Sequence, residues 1–251
     1  MKIHSELDET ILLNRIDSTN LEARRRRMEF THRNVLFISD EQTAGQGQQD
    51  RHWESSANMG LWMSFFLARP STLAHNLRLL SLYAGTMIHK TVEHFVDADV
   101  CLKWPNDIMI GSRKCGGVLT EIQWQGNTPI SAIIGIGVNL SHRSSDFPQS
   151  IRDSAISLLQ AGWQEPNREE FLKLFTGYFF QQLDQLDTSD HLMTNWNSLA
   201  YRLNENVEWQ TKDKILHGQF LGINRNGEAL IRVGKTVQIF QNGEIRQLNP
   251  V

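Results

Sequence analysis

The segment Glu41–Trp53 constrains the fold more than any other part of this 251-residue chain. It is a polar loop with two glycines, Gly45 and Gly47, and it separates two apolar runs. Those runs, Val35–Ile38 and Leu61–Leu67, have the composition and length of buried strands. Because glycine lacks Cβ and tolerates positive φ, such a loop can close over a ligand. An ordinary solvated connection is the commoner outcome, so the loop alone decides no function.

Three familiar ligand motifs do not match the sequence. In the dinucleotide-binding fingerprint a third glycine opens a helix, whereas Asp50 stands at that position here and a strand pattern follows. Gly111 is not followed at the Walker interval by Gly-Lys-Ser/Thr. His89 and His94, with Glu93 beside them, superficially resemble a zinc motif, but residues five apart on a helix lie about 140° from each other. We therefore predict no metal site built from histidines.

The composition is that of an ordinary folded domain, and its charges produce no strong electrostatic field. The net charge of −3 and the isoelectric point near 6.3 would attract neither nucleic acid nor an anionic membrane. The basic run Arg24–Arg27 sits on a predicted helix, where its side chains point about 100° apart, so a solvated helix face is expected. Cys101 and Cys115 lack metal-ligand spacing, which favours a reducing cytoplasm. No signal-like or membrane-length apolar run is present, and no membrane partner is expected.

Strand and helix patterns alternate through the first 203 residues. We predict strands at Ile11–Ile16, Val35–Ile38, Leu61–Leu67, Val100–Lys103 and Ile130–Leu140, with two more between Asp107 and Ile122 around a turn at Gly111. Helices are predicted from Leu21, at Ser71–Val96, at Arg168–Leu186 behind the N-cap Asn167, and at His191–Leu203. Gly135, Gly137 and Asn139 share one face of their strand, because side chains alternate. A face of that kind packs poorly and admits a ligand closely.

The pattern changes at Asn204. Short apolar runs follow at 207–209, 215–220, 229–233 and 237–240, and Asn-Gly pairs at 226–227 and 242–243 are strong hairpin signals. We predict a small all-β barrel here, and hence two domains, 1–203 and 204–251.

Taken together and in this order, the motifs resemble those of the biotin–protein ligases over essentially the whole chain. That family has a Ser-Thr-Asn corner, a Gln-Thr-x-Gly-x-Gly loop ending in Trp, Lys-Trp-Pro-Asn-Asp, a lysine before a glycine-bearing strand, and Gly-x-Gly-x-Asn. The matching segments are Ser18–Asn20, Gln42–Trp53, Lys103–Asp107, Lys114–Gly117 and Gly135–Asn139. The resemblance implies an α+β fold, a class II synthetase-like mixed β-sheet backed by helices, with a small C-terminal SH3-like β-barrel.

The resemblance also implies an activity. Such a ligase activates biotin with ATP and Mg²⁺ to biotinyl-5′-AMP, and then transfers biotin to a lysine on the biotin carboxyl carrier domain of a carboxylase. The first step brings two anions together, so positioning and charge neutralisation dominate its catalysis.

Site residues carry over motif by motif. Lys114 and Arg51 are implied as catalytic, with Lys114 between the biotin carboxylate and the α-phosphate. Biotin contacts are implied for Ser18, Thr19, Asn20, Gln42, Gly45, Gln46, Gly47, Gln48, Lys114, Gly117 and Gly135. ATP or adenylate contacts are implied for Arg51, Trp53, Lys103, Asn106, Asp107 and Asn139, with Trp53 beside the adenine.

Two departures from the family pattern affect what we expect. The family loop is rich in arginine, whereas Gln46, Gln48 and Gln49 replace three arginines here, Asp50 replaces a glycine, and Arg51 keeps its charge. Phosphate should therefore be held less firmly.

Only 17 residues precede the Ser-Thr-Asn corner, so we expect a short form without the N-terminal DNA-binding domain that some members carry, and no DNA partner.

Two alternatives remain open. A lipoate ligase or octanoyltransferase has a similar fold, although the Gln-Thr-Ala-Gly loop with Trp53 fits biotin better. A non-catalytic biotin or adenylate sensor is the other, and the presence of Lys103, Asp107 and Lys114 disfavours it. The acceptor carboxylase is not indicated by the sequence, and association into a homodimer stays open.

Overall fold

A seven-stranded mixed sheet forms the centre of the chain. The computed structural model describes residues 3–68, 77–183, 186, 189–210 and 215–247. The strands run in the order β1-β2-β3-β7-β6-β5-β4, and only the β1–β2 pair is parallel among the described pairs. Their bounds are β1 Glu9–Ile16, β2 Val35–Gln42, β3 Gly60–Ala68, β4 Val100–Lys103, β5 Asp107–Ile110, β6 Arg113–Gln125 and β7 Thr128–Asn139.

Helices cover the sheet unequally on its two faces. The helices are α1 Thr19–Arg25, α2 Leu80–Phe95, α3 Arg168–Gln181 and α4 Ser189–Ser198. The larger core joins α2 and α3 to one face, where Phe65 of β3 stacks against Phe175 and Phe179 of α3. A smaller core, built around Ala23 of α1 and Phe37 of β2, lies on the other face. Because α1 is short, most of this second face stays open for the site.

The predicted mixed sheet backed by helices is confirmed, and the differences lie at element ends. The helix predicted from Ser71 begins at Leu80, after one 3-10 turn at Leu77–Leu79, and residues 71–76 lie outside the described part. Asn167 is the N-cap of α3, since its Oδ1 accepts from the amides of residues 169 and 170. The last helix stops at Ser198 rather than Leu203, because the Leu199 carbonyl and the Tyr201 amide form hydrogen bonds with Leu102 of β4. Residues 202 and 204 then adopt positive φ, which no helix continues.

The C-terminal strands form a five-stranded antiparallel sheet in the order β11-β10-β9-β8-β12. Their bounds are β8 Asn206–Gln210, β9 Ile215–Ile223, β10 Ala229–Val233, β11 Thr236–Phe240 and β12 Glu244–Gln247. The sequence pattern missed β12, since it holds one apolar residue among four. Closure of this sheet into an SH3-like barrel and the boundary after residue 203 stay predictions.

The two sheets meet at the Lys-Trp-Pro-Asn-Asp corner. Trp104 is 3% exposed, its ring centroid lies 5.2 Å from that of Trp209 on β8, and its Nε1 donates to the carbonyl of Gly227 at 2.9 Å. This tryptophan therefore fixes the C-terminal sheet against the corner between β4 and β5. Within the described residues, no helix has the length and apolar character needed to span a membrane.

A buried histidine packs beside Trp62 of β3. His142 is 1% exposed, stacks on Phe147 with centroids 4.6 Å apart, and packs near Trp62 at 6.0 Å. Neither ring nitrogen has a hydrogen-bond partner among the described residues. Burial lowers the pKa of His142 to about 4, so the ring is neutral in the folded chain at pH 7.

We expect this histidine to make the fold acid-sensitive. Since its folded pKa lies below the unfolded value of about 6.5, stability is full above pH 6.5 and is lost as the pH falls towards 4. The loss should be about 3 kcal/mol by pH 4. Chemical unfolding of the chain and of His142→Phe, measured at several pH values, checks this. Equal pH slopes for the two proteins would contradict it.

Candidate active site

A cleft opens on the sparsely covered face of the central sheet. Its walls come from the Ser-Thr-Asn corner, the glycine loop, the Lys-Trp-Pro-Asn-Asp corner, strands β6 and β7, and the turn before β12. Segments that are far apart in the sequence thus converge on one site.

The floor of the cleft is glycine. Gly135 and Gly137 project to the same face of β7, as the alternation predicts, and Gly117 of β6 pairs with Gly137. A Cβ at Gly135 would lie 2.1 Å from Oδ1 of Asn20, and one at Gly137 would lie 2.6 Å from the Trp53 ring. Any larger residue would displace these side chains. The bare floor therefore admits an amide and an indole directly against the backbone.

Lys114 is the cation above this floor. Its Nζ lies 2.6 Å from Oδ1 of Asp107 and 4.9 Å from the centroid of the Trp53 ring. The backbone of Lys114 is fixed as well, because its amide donates to the Ser154 carbonyl and its carbonyl accepts from Ile156. An ion pair and a cation–π contact thus hold one lysine at a defined position in the cleft.

The Ser-Thr-Asn corner forms the polar end of the cleft. Thr19 donates through its backbone amide to Oε1 of Gln42 at 2.8 Å, and Nε2 of Gln42 donates to Oγ of Ser55 at 2.9 Å. Nδ2 of Asn20 donates to Glu121 at 3.1 Å. Ser18 is the N-cap of α1 without making a side-chain cap hydrogen bond, so its hydroxyl is free to bind a ligand. These are neutral groups whose orientation is fixed by hydrogen bonds.

The glycine loop is folded back on itself. The Gly47 amide donates to the Arg51 carbonyl at 2.7 Å, and the Trp53 amide donates to the Gly45 carbonyl at 2.9 Å. Gln49 adopts a φ of 57° at the tip of this turn. The two hydrogen bonds bring Trp53 over the floor and direct Arg51 towards the C-terminal sheet.

A carboxylate from the C-terminal sheet completes the site. Oε2 of Glu244 lies 3.3 Å from Arg51, and its Oε1 lies 3.3 Å from Nζ of Lys103. Burial raises the pKa of Glu244, but Lys103 and Arg51 more than offset this, so its pKa lies below the ordinary value. Sequence patterns did not find Glu244, because a single acidic residue beyond a hairpin turn carries no motif.

Most of the predicted site residues line the cleft, and three do not. Those that do are Ser18, Thr19, Asn20, Gln42, Gln46, Gly47, Gln48, Arg51, Trp53, Asn106, Asp107, Lys114, Gly117 and Gly135. Gly45 lies just outside, where a Cβ would meet the Trp53 carbonyl at 2.5 Å. Lys103 reaches Glu244 instead, and Asn139 is 5% exposed and donates to the Ile156 carbonyl at 3.1 Å. Their roles as ligand contacts stay predictions.

Residues that were not among the predicted ligand contacts also line the cleft. They are His52, Met63, Trp104, Pro105, Val118, Leu119, Ile136, Gly137, Gly243 and Glu244. Gly137 and the corner residues Trp104 and Pro105 lay inside predicted motifs, so their presence follows from the motif positions. The apolar members give the cleft hydrophobic walls between its polar end and its cation.

Asp107 and Glu244 are the carboxylate residues among the described lining residues. Each is paired with a cation, Asp107 with Lys114 and Glu244 with Arg51 and Lys103. Among the described residues, no three His, Cys, Asp or Glu side chains converge as a metal-binding group.

The cleft thus combines a polar amide end, apolar walls and a lysine held in a fixed position. The sequence profile of the biotin/lipoate A/B protein ligase family matches residues 12–139. This chain belongs to that family.

Individual relatives extend the likeness beyond the matched segment. The bifunctional ligase/repressor BirA of Bacillus spizizenii is 32% identical over 215 residues, which are 84% of this chain and 65% of that protein. The biotin–[acetyl-CoA-carboxylase] ligase of Paracoccus denitrificans is 28% identical over 93% of this chain and 98% of its own length. The biotin protein ligase from Aquifex aeolicus in complex with biotin and ATP is 26% identical, with a TM-score of 0.81, and covers 95% of this chain and 98% of that one.

The Glu244 ion pairs predict that the C-terminal sheet stabilises the glycine loop. In Glu244→Gln the neutral amide keeps the shape but loses the attraction to Arg51, which is worth about 1 kcal/mol for a partly exposed pair. Local opening should then rise roughly fivefold, and the Gly47 amide should exchange faster by that factor. Hydrogen exchange measured by mass spectrometry or NMR checks this. Glu208→Gln, on the same sheet, is the matched control, and equal exchange at Gly47 in both variants would contradict the prediction.

Proposed function

We propose that this chain is a biotin–protein ligase, which activates biotin with ATP to biotinyl-5′-AMP and transfers the biotinyl group to a lysine of a biotin carboxyl carrier domain. The observation that carries the proposal is the position of Lys114, held by Asp107 above a glycine floor that ends at the Asn20 and Gln42 amides. The Paracoccus relative, which matches this chain along almost its whole length, has a name that states this activity.

The polar end suits the head group of biotin. A ureido ring has two N–H donors and one carbonyl acceptor, and the corner of Ser18, Thr19 and Asn20 with Gln42 offers both kinds of partner. A lipoyl dithiolane or an octanoyl chain has no such groups. Bound there, either would leave buried amides and hydroxyls without partners, which a polar site discriminates against strongly. The lipoate alternative is therefore not favoured.

The first chemical step is the approach of two anions. The biotin carboxylate attacks the α-phosphorus of ATP, the bond from that phosphorus to the bridging oxygen breaks, and pyrophosphate leaves. Lys114 lies over Gly117 on the floor of the cleft, where its charge would stabilise both the carboxylate and the phosphate. Asp107 holds the lysine beforehand, so little reorganisation is needed at the moment of reaction.

The second step passes the biotinyl group on. The acceptor lysine amine attacks the carbonyl carbon of the mixed anhydride, an amide bond forms, and AMP leaves with the electron pair of the broken bond. Trp53 over the floor and the folded glycine loop would cover the adenylate and exclude water until the acceptor arrives. Mg²⁺ would enter with the ATP phosphates, because the paired carboxylates of the cleft offer it no ready set of ligands.

Lys114→Ala tests the first step. Removal of one preorganised cation should lower the rate of adenylate formation by about two to four orders of magnitude. Folding should be retained, since the Lys114 side chain is one-third exposed. Biotin-dependent exchange between ATP and pyrophosphate, run beside lipoate and octanoate, measures the effect and the substrate class together. Lys235→Ala removes an exposed lysine on a turn of the C-terminal sheet and is the control. Near-normal exchange by Lys114→Ala would overturn the assignment.

Gln48→Arg tests the loop chemistry. Gln48 lines the cleft, and a charge-assisted hydrogen bond to phosphate is worth about 1 kcal/mol more than a neutral one. The adenylate off-rate should therefore fall by roughly fivefold or more, as followed by stopped-flow tryptophan fluorescence. Gln49→Arg adds the same charge one residue further along, outside the cleft, and should change the off-rate less. Equal effects of the two substitutions would show a general charge effect without a specific contact.

A further inference from the structure

A serine that does not reach the cleft lies directly beneath its polar end. Ser64 of β3 is 0% exposed and has no place among the residues that line the cleft. Its Oγ lies 2.7 Å from Oγ1 of Thr19 and 2.6 Å from Oδ1 of Asn20. One hidden hydroxyl therefore contacts two of the side chains that line the polar corner.

The protons of this group can be placed from what each atom is able to donate or accept and from the contact distances. Nδ2 of Asn20 donates to the carboxylate of Glu121, so the amide is oriented with Oδ1, which only accepts, towards Ser64. The single Ser64 proton must go to that oxygen. The 2.7 Å contact between the Ser64 and Thr19 oxygens then needs the Thr19 proton, which points inward to Ser64. Oε1 of Gln42 lies farther from the Thr19 hydroxyl, at 3.1 Å, and already accepts from the Thr19 backbone amide at 2.8 Å, so we place the Thr19 proton on the shorter contact with Ser64.

The sheet is shaped to hold this arrangement. Ser64 pairs with Gly135, and Gly135 pairs with Leu119, so the three residues form one row across β3, β7 and β6. Asn20 lies over that row, since a Cβ at Gly135 would fall 2.1 Å from its Oδ1. Ser64 thus supplies a hydrogen-bond donor in this row, and the neighbouring Gly135 leaves open space for the Asn20 amide.

The relay continues to the surface. Glu121, which accepts from Asn20, also accepts from Nε of Arg24 at 3.1 Å on α1. The direction of donation therefore runs from Thr19 through Ser64 to Asn20, and from Asn20 to a carboxylate that an arginine neutralises. Each member fixes the next, because Ser64 and Thr19 each have only one proton to give.

We propose that Ser64 is a positioning residue for biotin recognition, and this rests on the proposed function. By accepting the Thr19 proton, Ser64 leaves the outward lone pairs of Thr19 to accept an N–H of the ureido ring. By donating to Asn20, it holds that amide in one orientation at the polar end. Ser64 touches no substrate and acts through Thr19 and Asn20.

Ser64→Ala tests the inference, with biotin as the probe in titration calorimetry and in adenylate-formation kinetics. The Kd and KM for biotin should rise about tenfold, while kcat and the KM for ATP should stay within about twofold. Ser64→Thr keeps the hydroxyl and should bind biotin more tightly than Ser64→Ala. Ser157→Ala is the matched control, because Ser157 is also 0% exposed and also donates one 2.6 Å hydrogen bond, to the His142 carbonyl.

A double-mutant cycle separates positioning from simple packing. Thr19→Val removes the hydroxyl that Ser64 orients, so Ser64→Ala added to Thr19→Val should weaken biotin binding much less than it does alone. Additive effects, or a lower melting temperature with unchanged biotin affinity, would overturn the inference while leaving the proposed function in place. If the unmodified chain binds no biotin, the proposed function and the inference both fail. Should Ser64→Ala not fold, Ser64→Cys provides the same comparison with a weak donor.

Discussion

The structure depends on the absence of side chains at the centre of one sheet face. Gly135, Gly137 and Gly117 leave a bare strip of backbone, and the Asn20 amide and the Trp53 indole occupy the space that Cβ atoms would take. Because β7 is paired on both sides, its backbone hydrogen bonds are satisfied and the strip can be bare without being unstable. The Ser-Thr-Asn corner and the glycine loop can approach the sheet this closely only over these glycines, so the site lies above them.

The cations of the cleft are paired with carboxylates before any ligand binds. Lys114 is paired with Asp107, and Arg51 shares Glu244 with Lys103. An anionic ligand must therefore compete with carboxylates that already hold these cations. This competition lowers the affinity of the site for the ligand, but the ion pairs keep the cations in position. The C-terminal sheet takes part in this pairing through Glu244, so it belongs to the chemistry of the site as well as to the fold.

The sequence predicted the mixed sheet, the glycine face of β7 and most of the lining residues, because glycine spacing and short apolar runs reflect local backbone requirements. It did not predict Glu244 or Ser64. Glu244 acts through contacts about 140 and 190 residues away along the chain, and serine in a strand is not distinctive. It also misjudged helix ends, since residues 202 and 204 adopt left-handed backbone that no local pattern indicated. Tertiary contacts, which local sequence patterns do not reveal, determine the roles of Glu244 and Ser64 and the ends of the helices.

The buried relay shows how a neutral site can be specific. Thr19, Ser64 and Asn20 carry few protons, and each proton is committed by a neighbour that can only accept or only donate. A ligand with the wrong pattern of donors cannot be accommodated by rotating one hydroxyl, because the rotation would leave a second buried group unpaired. Discrimination by Thr19 and Asn20 would therefore depend on Ser64, which does not reach the cleft, and the bare backbone at Gly135 leaves room for the Asn20 amide beside it.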